Sequence, residues 1–474
     1  METWRWSSAR GRHAEAFESS ERMRARQMLD LLARGRIADM GMGAAATELT
    51  VREQDLRRSI AELTAELGGS NSIAALRGPD AAARDLDVVR EALATAQRRY
   101  TEVLLDIRER SPQYAMLVAG EVASARDVMA RLADDEALLE FLLSDSGTIA
   151  FVVTADTVAA VDLNVYRKAI AGLVDFVRGT MVRPDQRAPS SDIWKAPLRR
   201  LYRQLIQPVE AEGLLRGKQK LLIAPHAELH YLPFDALIVS ENPDRYLIER
   251  YEISYVPSAS VWMRLGERTN HNRVERVLAM APRDRVLPWS VDEVEAIGRI
   301  FGDRTTVLIG SEATERTLVR SISQYDIVHL ATYGILNKHN PLFSFVELNA
   351  GGGGDDDGRL EVHEVFGLNL NAHLVVLSAC QTGLGSGALA DVPAGDDWVG
   401  LVRAFLYAGA SNVLATIWPV EDRATAQLME RFYRYLESGS SPSEAITLAK
   451  RASLSSRNTA HPFYWAGFVM VGGS

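Results

Sequence analysis

From about residue 217 onward, short apolar runs alternate with segments of helical periodicity. The apolar runs are rich in Val, Ile and Leu and are bounded by turn-forming residues, as in KLLIAP, VLAMAP, IVHLATYG and HLVVLSAC. Amphipathic segments such as DEVEAIGRIFG and ATAQLMERFYRYLESG lie between or after them. A strand without polar alternation is buried on both faces. The pattern therefore predicts an α/β fold with a mostly parallel sheet flanked by helices.

The N-terminal part of the chain has a different pattern, which predicts an all-helical arm over residues 1–146. Residues 14 to about 140 have helical character, and apolar residues spaced three and four apart predict helices near 48–67 and 80–110. The glycine-containing loop between these two helices favours an antiparallel hairpin, whose apolar stripe is typical of a packing surface. Near residue 147 the pattern changes to two β-rich runs, TIAFVV and TVAAVDL, which predict a β-hairpin. We therefore expect a second domain over 147–474.

The composition argues against several classes of protein. The 474-residue chain has a net charge of -9, whereas nucleic-acid-binding domains are usually basic. No apolar run has the length of a membrane span or of a signal-peptide core, so we expect neither. The single cysteine excludes an internal disulfide and favours a cytoplasmic location. The scattered histidines lack the spacing of a zinc site, and we expect no metal and no cofactor.

Two of the predicted strands end in residues that can carry chemistry. The strand HLVVLSAC delivers Cys380 to a turn containing Gly383 and Gly385, and the strand DIVHLATYG ends at Tyr333 and Gly334. Functional groups in parallel sheets gather at the carboxyl ends of the strands, next to a cleft. Two interpretations of the cysteine are open on this pattern. It is either a nucleophile, which requires a nearby base, or a small buried hydrophobe, as most free cysteines are.

The segments VVLSACQTGLG, GLVRAFLYAGASNVLATIWPVED and AHPFYWAGFVMVG, in this order, resemble the CHAT family of caspase- and separase-related cysteine peptidases. The similarity extends upstream through KLLIAPHAELHYLPFDAL to about residue 147. The resemblance implies a caspase-like fold that acts on a protein or peptide. It implies that Cys380 attacks the scissile carbonyl and that the backbone N–H groups of Gly334 and Cys380 stabilise the oxyanion. The N-terminal ESSERMRARQMLDLLA resembles the segment that joins tetratricopeptide repeats to this domain, which implies a regulatory protein partner.

The chain departs from the family at the general base. The family has a His-Gly pair at the end of the strand preceding the cysteine, and this chain has Tyr333-Gly334 there. A phenol is protonated at neutral pH, so Tyr333 can donate a hydrogen bond but does not readily take the thiol proton. His329 lies roughly 13 Å upstream along the strand and is expected to be buried and hydrogen-bonded. His339, downstream in the NKHNPLF loop, is the candidate for a substitute base.

Three further residues near the predicted cleft are candidates for substrate binding. Asp396 either pairs with a basic side chain of the substrate or belongs to a solvated acidic loop. Gln381 either hydrogen-bonds the substrate backbone or satisfies its own turn. Trp418 ends a predicted strand, where it either walls a side-chain pocket or belongs to the core.

Three functional hypotheses follow from this pattern. The retained cysteine turn favours an active cysteine endopeptidase with a displaced base. The tyrosine at the base position favours a pseudo-peptidase that binds a partner or peptide without cleaving it. In the third hypothesis the chain is a scaffold whose helical arm docks onto a sensor protein.

Overall fold

The computed structural model describes most of the region that follows the predicted helical hairpin, and parts of the chain before it. None of the helices in the described ranges has the length and apolar character that a bilayer crossing requires. Side chains are described throughout these ranges except at 25–35, 379–381 and 396–399. The described residues are 13–35, individual helical residues between 52 and 103, 122–181, 192–266, 274–335, 343–351, 356–381 and 396–473.

Strands and helices alternate along most of the described chain, as the sequence pattern predicts. The strands are β1 (Glu136–Ser144), β2 (Gly147–Val153), β3 (Val158–Asp162), β4 (Lys220–Ala224), β5 (Ile238–Ser240), β6 (Arg245–Tyr246), β7 (Glu252–Tyr255), β8 (Val277–Ala281), β9 (Thr305–Ile309), β10 (Ile327–Ile335), β11 (Phe345–Glu347), β12 (Arg359–Glu361), β13 (Leu374–Gln381), β14 (Asn412–Thr416) and β15 (Phe468–Gly472). The α-helices are α1 (His13–Gly35), α2 (Ala125–Arg131), α3 (Arg167–Thr180), α4 (Lys195–Leu205), α5 (Gln207–Ala211), α6 (Ala259–Leu265), α7 (Pro288–Phe301), α8 (Glu315–Ser321), α9 (Val362–Val365), α10 (Asp396–Ala408), α11 (Asp422–Glu437) and α12 (Pro442–Leu454).

Thirteen of the described strands form one mixed sheet. The order across it is β9, β8, β10, β13, β14, β15, β7, β4, β1, β2 and β3. Strands β11 and β12 lie beside the carboxyl end of β10, beyond the point where β8 stops pairing with it. Strand β10 therefore has β13 along one side and both β8 and β11 along the other.

The sheet consists of two halves that run in opposite directions. Strands β9, β8, β10, β13 and β14 are parallel to one another. Strand β15 pairs antiparallel with β14 and parallel with β7, and β7, β4 and β1 continue in that second direction. The carboxyl ends of the strands in the two halves consequently lie at opposite edges of the sheet.

The main architectural predictions are confirmed, with one local correction. The mostly parallel sheet with flanking helices is present, and β2 and β3 form the predicted hairpin. Residues 136–140, assigned from sequence to the helical arm, instead begin β1, which pairs with β2 and β4. EALLEFLLS contains good helix formers, but pairing with strands on both sides overrides that propensity. The sheet thus begins before the boundary placed at residue 147, and the division into 1–146 and 147–474 stays a prediction.

The described residues between 52 and 103 are helical, as their apolar spacing predicts. Ala96, Tyr100 and Val103 are spaced four and three apart and are all buried. Ala96 and Tyr100 belong to the same hydrophobic core as the sheet, and Leu56 and Leu63 pack against that core. These residues therefore dock onto the α/β region.

Helix α1 covers one face of the second half of the sheet. The ring of Phe17 packs edge-on against Phe151 of β2, with 6.1 Å between ring centroids. The carboxylate of Glu21 is buried and accepts hydrogen bonds from the backbone N–H groups of Ala259 and Ser260, at 3.1 and 2.6 Å. Glu21 thereby satisfies donors in the first turn of α6.

A buried ion pair joins α1 to β1. Arg24 Nε lies 3.3 Å from Glu140 Oε1, and the same guanidinium donates to the carbonyl oxygens of Phe141 and Pro225. Burial raises the pKa of Glu140 well above its usual value, Arg24 opposes this, and the nearby Glu21 adds to it. The charged form of Glu140 therefore depends on the Arg24 guanidinium.

We expect Arg24→Met to destabilise the fold by about 3–5 kcal/mol at neutral pH, because it leaves a buried carboxylate without its cation. A raised folded-state pKa favours the neutral carboxyl, so stability is lost as the pH rises. The loss caused by Arg24→Met should therefore be larger at about pH 8 than at about pH 5. Urea unfolding at the two pH values measures the free energy of unfolding.

The matched control is Arg22→Met, because Arg22 is exposed on the same helix and contacts only its helical neighbour Ser19 among the bonds described for it. Its effect should stay within about 0.5 kcal/mol. Equal losses in the two variants, or a loss in Arg24→Met that does not depend on pH, would contradict the role given to the buried pair.

Candidate active site

The candidate site lies where β10 and β13 end side by side. The two strands are parallel neighbours, paired from Ile327 with Leu374 up to Gly334 with Gln381. In this register Tyr333 is the direct partner of Cys380. Neighbouring strands are about 4.8 Å apart, so the backbones of the sole cysteine and of the residue at the family's base position are adjacent.

The end of β10 is fixed by contacts on both of its sides. Gly334 is buried and pairs with Gln381 of β13 and with Val346 of β11. Thr332, which is fully buried, donates a hydrogen bond from Oγ1 to the carbonyl oxygen of Glu347, at 2.6 Å. The Tyr333-Gly334 dipeptide is thus held in a ladder that includes β11, while the Tyr333 residue itself is half-buried.

The predicted substrate-binding residues fall at different places around this edge. Gln381 is the last residue of β13, and Asp396 is the first residue of α10. Trp418 follows β14 and is 6% exposed, and its indole N–H donates to the carbonyl oxygen of Phe463 at 3.1 Å. His339 lies outside the described residues. The roles proposed for these four residues stay predictions.

His329 is the histidine nearest to Tyr333 along β10, and its ring is fully buried. Its Nδ1 lies 2.9 Å from the hydroxyl of Tyr433 in α11, and its Nε2 lies 2.9 Å from Glu293 Oε1 in α7. The prediction of a buried, hydrogen-bonded strand residue is therefore confirmed. Alternate residues of a strand share a face, so His329 and Tyr333 occupy the face of β10 on which α7 and α11 pack.

Glu293 and Tyr433 were not found by sequence reasoning. They lie in separate helices and come together only when α7 and α11 pack on β10. Burial raises the pKa of Tyr433 well above its usual value, and the charge of Glu293 raises it further. Tyr433 is therefore a neutral phenol, and the three side chains form one buried polar cluster beneath the candidate site.

Two further histidines, His226 and His461, have surroundings that favour the neutral imidazole. His226 Nδ1 accepts from the backbone N–H of Leu143 at 3.3 Å, and His461 Nδ1 accepts from that of Phe463 at 3.1 Å. Burial lowers the pKa of His226 to about 3 and that of His461 to about 4. With Nδ1 as the acceptor, the proton of the neutral ring is on Nε2. Each imidazole is therefore a weak base, poorly suited to take a proton from a thiol.

Among the residues that the structure describes, no group of three or more His, Cys, Asp and Glu side chains has the arrangement of a metal site. The elements present at the candidate site are a thiol-bearing residue at one strand end, a phenol-bearing residue beside it and peptide groups of the ladder. Such a set can supply a nucleophile and hydrogen-bond donors. It lacks an imidazole at the position adjacent to the cysteine.

The fold is similar to that in the separase–securin complex of Saccharomyces cerevisiae. The similarity covers 82% of this chain and 33% of the matched chain, with a TM-score of 0.50 and 12% sequence identity. At this identity the similarity concerns the fold, and it defines the chain as a caspase-like α/β protein. The chain belongs to the CHAT domain family, whose model matches residues 195–473.

Two curated relatives match the chain at higher sequence identity. Tetratricopeptide repeat protein 28 of Homo sapiens is 28% identical over 370 residues, and its counterpart in Mus musculus is 26% identical over 370 residues. Each match covers 65% of this chain, but only 14% of the human protein and 15% of the mouse protein. The chain thus spans about one-seventh of the length of the curated relatives it matches.

We expect His329→Leu to cost about 3–4 kcal/mol, because it leaves the Glu293 carboxylate and the Tyr433 hydroxyl buried without the imidazole. Glu293→Leu should be destabilising for the reciprocal reason. The double variant should lose less than the sum of the two single losses, by about 1 kcal/mol or more. Denaturant unfolding of the four proteins measures this coupling, and additive losses would show that the His329–Glu293 contact is not energetically important.

Proposed function

We propose that the chain is a CHAT-domain, caspase-like cysteine peptidase module in which Cys380 is the nucleophile. Tyr333 occupies the position where the family has its general-base histidine, so the proposed activity is weak or absent. The observation that carries this proposal is the direct pairing of Tyr333 with Cys380 at the ends of two parallel strands. Membership in the CHAT family supports the same assignment of the two positions.

In the proposed reaction the Cys380 sulfur attacks the carbonyl carbon of a peptide bond. The carbon–nitrogen bond breaks, the leaving amine takes up a proton, and water then hydrolyses the thioester. The backbone N–H groups of Gly334 and Cys380 are the proposed donors to the oxyanion. The removal of the Cys380 thiol proton has no general base at position 333, because a tyrosine hydroxyl is protonated at neutral pH and is a poor base in that form.

A second candidate function is a pseudo-peptidase that acts as a protein-interaction scaffold. The observation that favours this function is Tyr333. The end of β10 is still ordered and paired with β13, but it carries a phenol and no imidazole. The half-buried Tyr333 can still donate a hydrogen bond to a bound peptide. Such a module would bind a peptide at the ends of β10 and β13 and leave the peptide intact.

The proposed ligand is a protein or peptide segment, with Gln381, Asp396 and Trp418 as candidate contacts. We propose a regulatory protein partner for the N-terminal helices, supported by relatives that are named for tetratricopeptide repeats. The separase that this fold resembles is likewise found in complex with a protein, securin. The single cysteine supports a cytoplasmic location as part of the same proposal.

The decisive test is to compare the parent with Tyr333→His on a panel of peptides. We expect Tyr333→His to gain cleavage by about a hundredfold or more over the parent, because a positioned imidazole contributes about that factor as a general base. Product analysis by mass spectrometry measures the cleavage rates. Tyr333→Phe is the matched control and should gain no activity, since it changes the same ring without adding a base.

The double variant Tyr333→His/Cys380→Ala should be inactive, which assigns any gained cleavage to the thiol. If Tyr333→His cleaves nothing that the parent leaves intact, the proposed pairing of base and nucleophile is wrong. If the parent already cleaves, His339→Ala tests the substitute base. Loss of cleavage in that variant would assign the base to His339, and unchanged cleavage would exclude it.

A further inference from the structure

Three aromatic rings join the N-terminal helical residues to the strands beside the candidate site. The ring of Tyr100 lies 5.3 Å from that of Phe343 and 5.7 Å from the imidazole of His363, centroid to centroid. Phe343 and His363 are themselves 5.5 Å apart. Tyr100 is 2% exposed, Phe343 3% and His363 7%, so the cluster is closed to solvent. Tilted and edge-on contacts at these distances are the favourable geometries for aromatic pairs.

Tyr100 belongs to a helical stripe whose other buried members are Ala96 and Val103. The stripe brings the helical residues to Phe343, just ahead of β11, and to His363 in α9, just after β12. His363 is further fixed by Glu361, whose Oε2 lies 3.1 Å from the imidazole Nδ1. The Tyr100 ring thus packs where the chain enters β11 and where it leaves β12.

The β11–β12 pair is in turn attached to the end of β10. Gly334 pairs with Val346 of β11, and the Thr332 hydroxyl donates to the carbonyl oxygen of Glu347. These two β10 residues flank Tyr333, the register partner of Cys380. A continuous set of packed and hydrogen-bonded groups therefore runs from Tyr100 through β11 to the candidate site.

We propose that Tyr100 is a positioning residue through which the N-terminal helical segment controls the candidate site. Its ring holds the β11–β12 pair against β10 and so fixes the peptide groups on both sides of Tyr333. Loosening this contact releases β11 from β10, which frees the end of β10 and so makes the end of its other neighbour, β13, more accessible. The inference rests on the proposed function only in assigning Cys380 to the site, and it gives the helical segment a physical means of regulating that site.

The test uses the chemical reactivity of the sole cysteine, which needs no peptidase activity. In Tyr100→Leu we expect Cys380 to react with iodoacetamide about tenfold faster than in the parent, which corresponds to about 1.4 kcal/mol in a local opening equilibrium. Hydrogen exchange should become faster at the β11 amides of Phe345–Glu347. Exchange should stay unchanged at the β4 amides of Lys220–Ala224. A general loss of stability would accelerate exchange at β4 as well, so these amides separate a local effect from a global one.

The matched control is Tyr246→Leu. Tyr246 is also a buried tyrosine in an edge-on aromatic pair, 5.5 Å from the ring of Trp465, but it lies in the separate β5–β6 pair. The Tyr246→Leu variant should have a Cys380 alkylation rate within about twofold of that of the parent. An equal acceleration in both variants would overturn the proposal, since it would reflect general destabilisation.

A second variant, Phe343→Leu, reaches the same cluster from the other side and carries the test if Tyr100→Leu does not fold. It should accelerate alkylation similarly, and the double variant should add little, because both changes release the same contact. Independent, additive effects or unchanged rates would refute the proposal. Failure of Tyr333→His to gain cleavage would leave these rates untouched, so the two proposals fail separately.

Discussion

The pairing of β10 with β13 is the interaction on which the candidate site depends. Both strands are apolar and buried over most of their length, so they form the centre of the first half of the sheet. Their parallel register continues up to the row that pairs Tyr333 with Cys380. A shift of one residue would move every side chain of a strand to the opposite face, and burial on both faces makes such a shift costly. The site is therefore positioned by core packing that involves no catalytic chemistry.

The reversal of strand direction between β14 and β15 places His226 away from Cys380, and local contacts hold His461 and His329. His226 follows β4, whose carboxyl end lies at the edge of the sheet opposite to that of β13. His461 precedes β15 and so lies toward the same edge as the cysteine, but its Nδ1 accepts from Phe463 and its ring packs against Trp194. His329 is on the correct strand but is held by Glu293 and Tyr433. His226, His461 and His329 thus serve packing and hydrogen bonding.

The sequence predicts those parts of the structure that depend on local pattern. Apolar runs bounded by turn residues identify β8, β10, β13 and β14, and the position of Cys380 at a strand end follows from them. Strand β1 is missed because its residues favour a helix, and only its pairing with β2 and β4 makes it extended. The partners of His329 and of Tyr100 are missed for a related reason. They are far away in the sequence, and a single chain carries no local signal for which distant side chains will meet.

Core packing determines where Tyr333 lies, whereas its side chain determines what chemistry the site can perform. The residue sits at the half-buried end of a strand whose register is set by the apolar residues below it and by the flanking Thr332 and Gly334 contacts. An imidazole or a phenol at such a position is compatible with the same ladder, because backbone groups form the ladder and the ring is attached outside it. An intact CHAT fold is therefore compatible with either an active or an inactive site. What distinguishes the two is the ability to remove one proton from the Cys380 thiol, a property that resides in the side chains around the strand ends and not in the sheet that presents them.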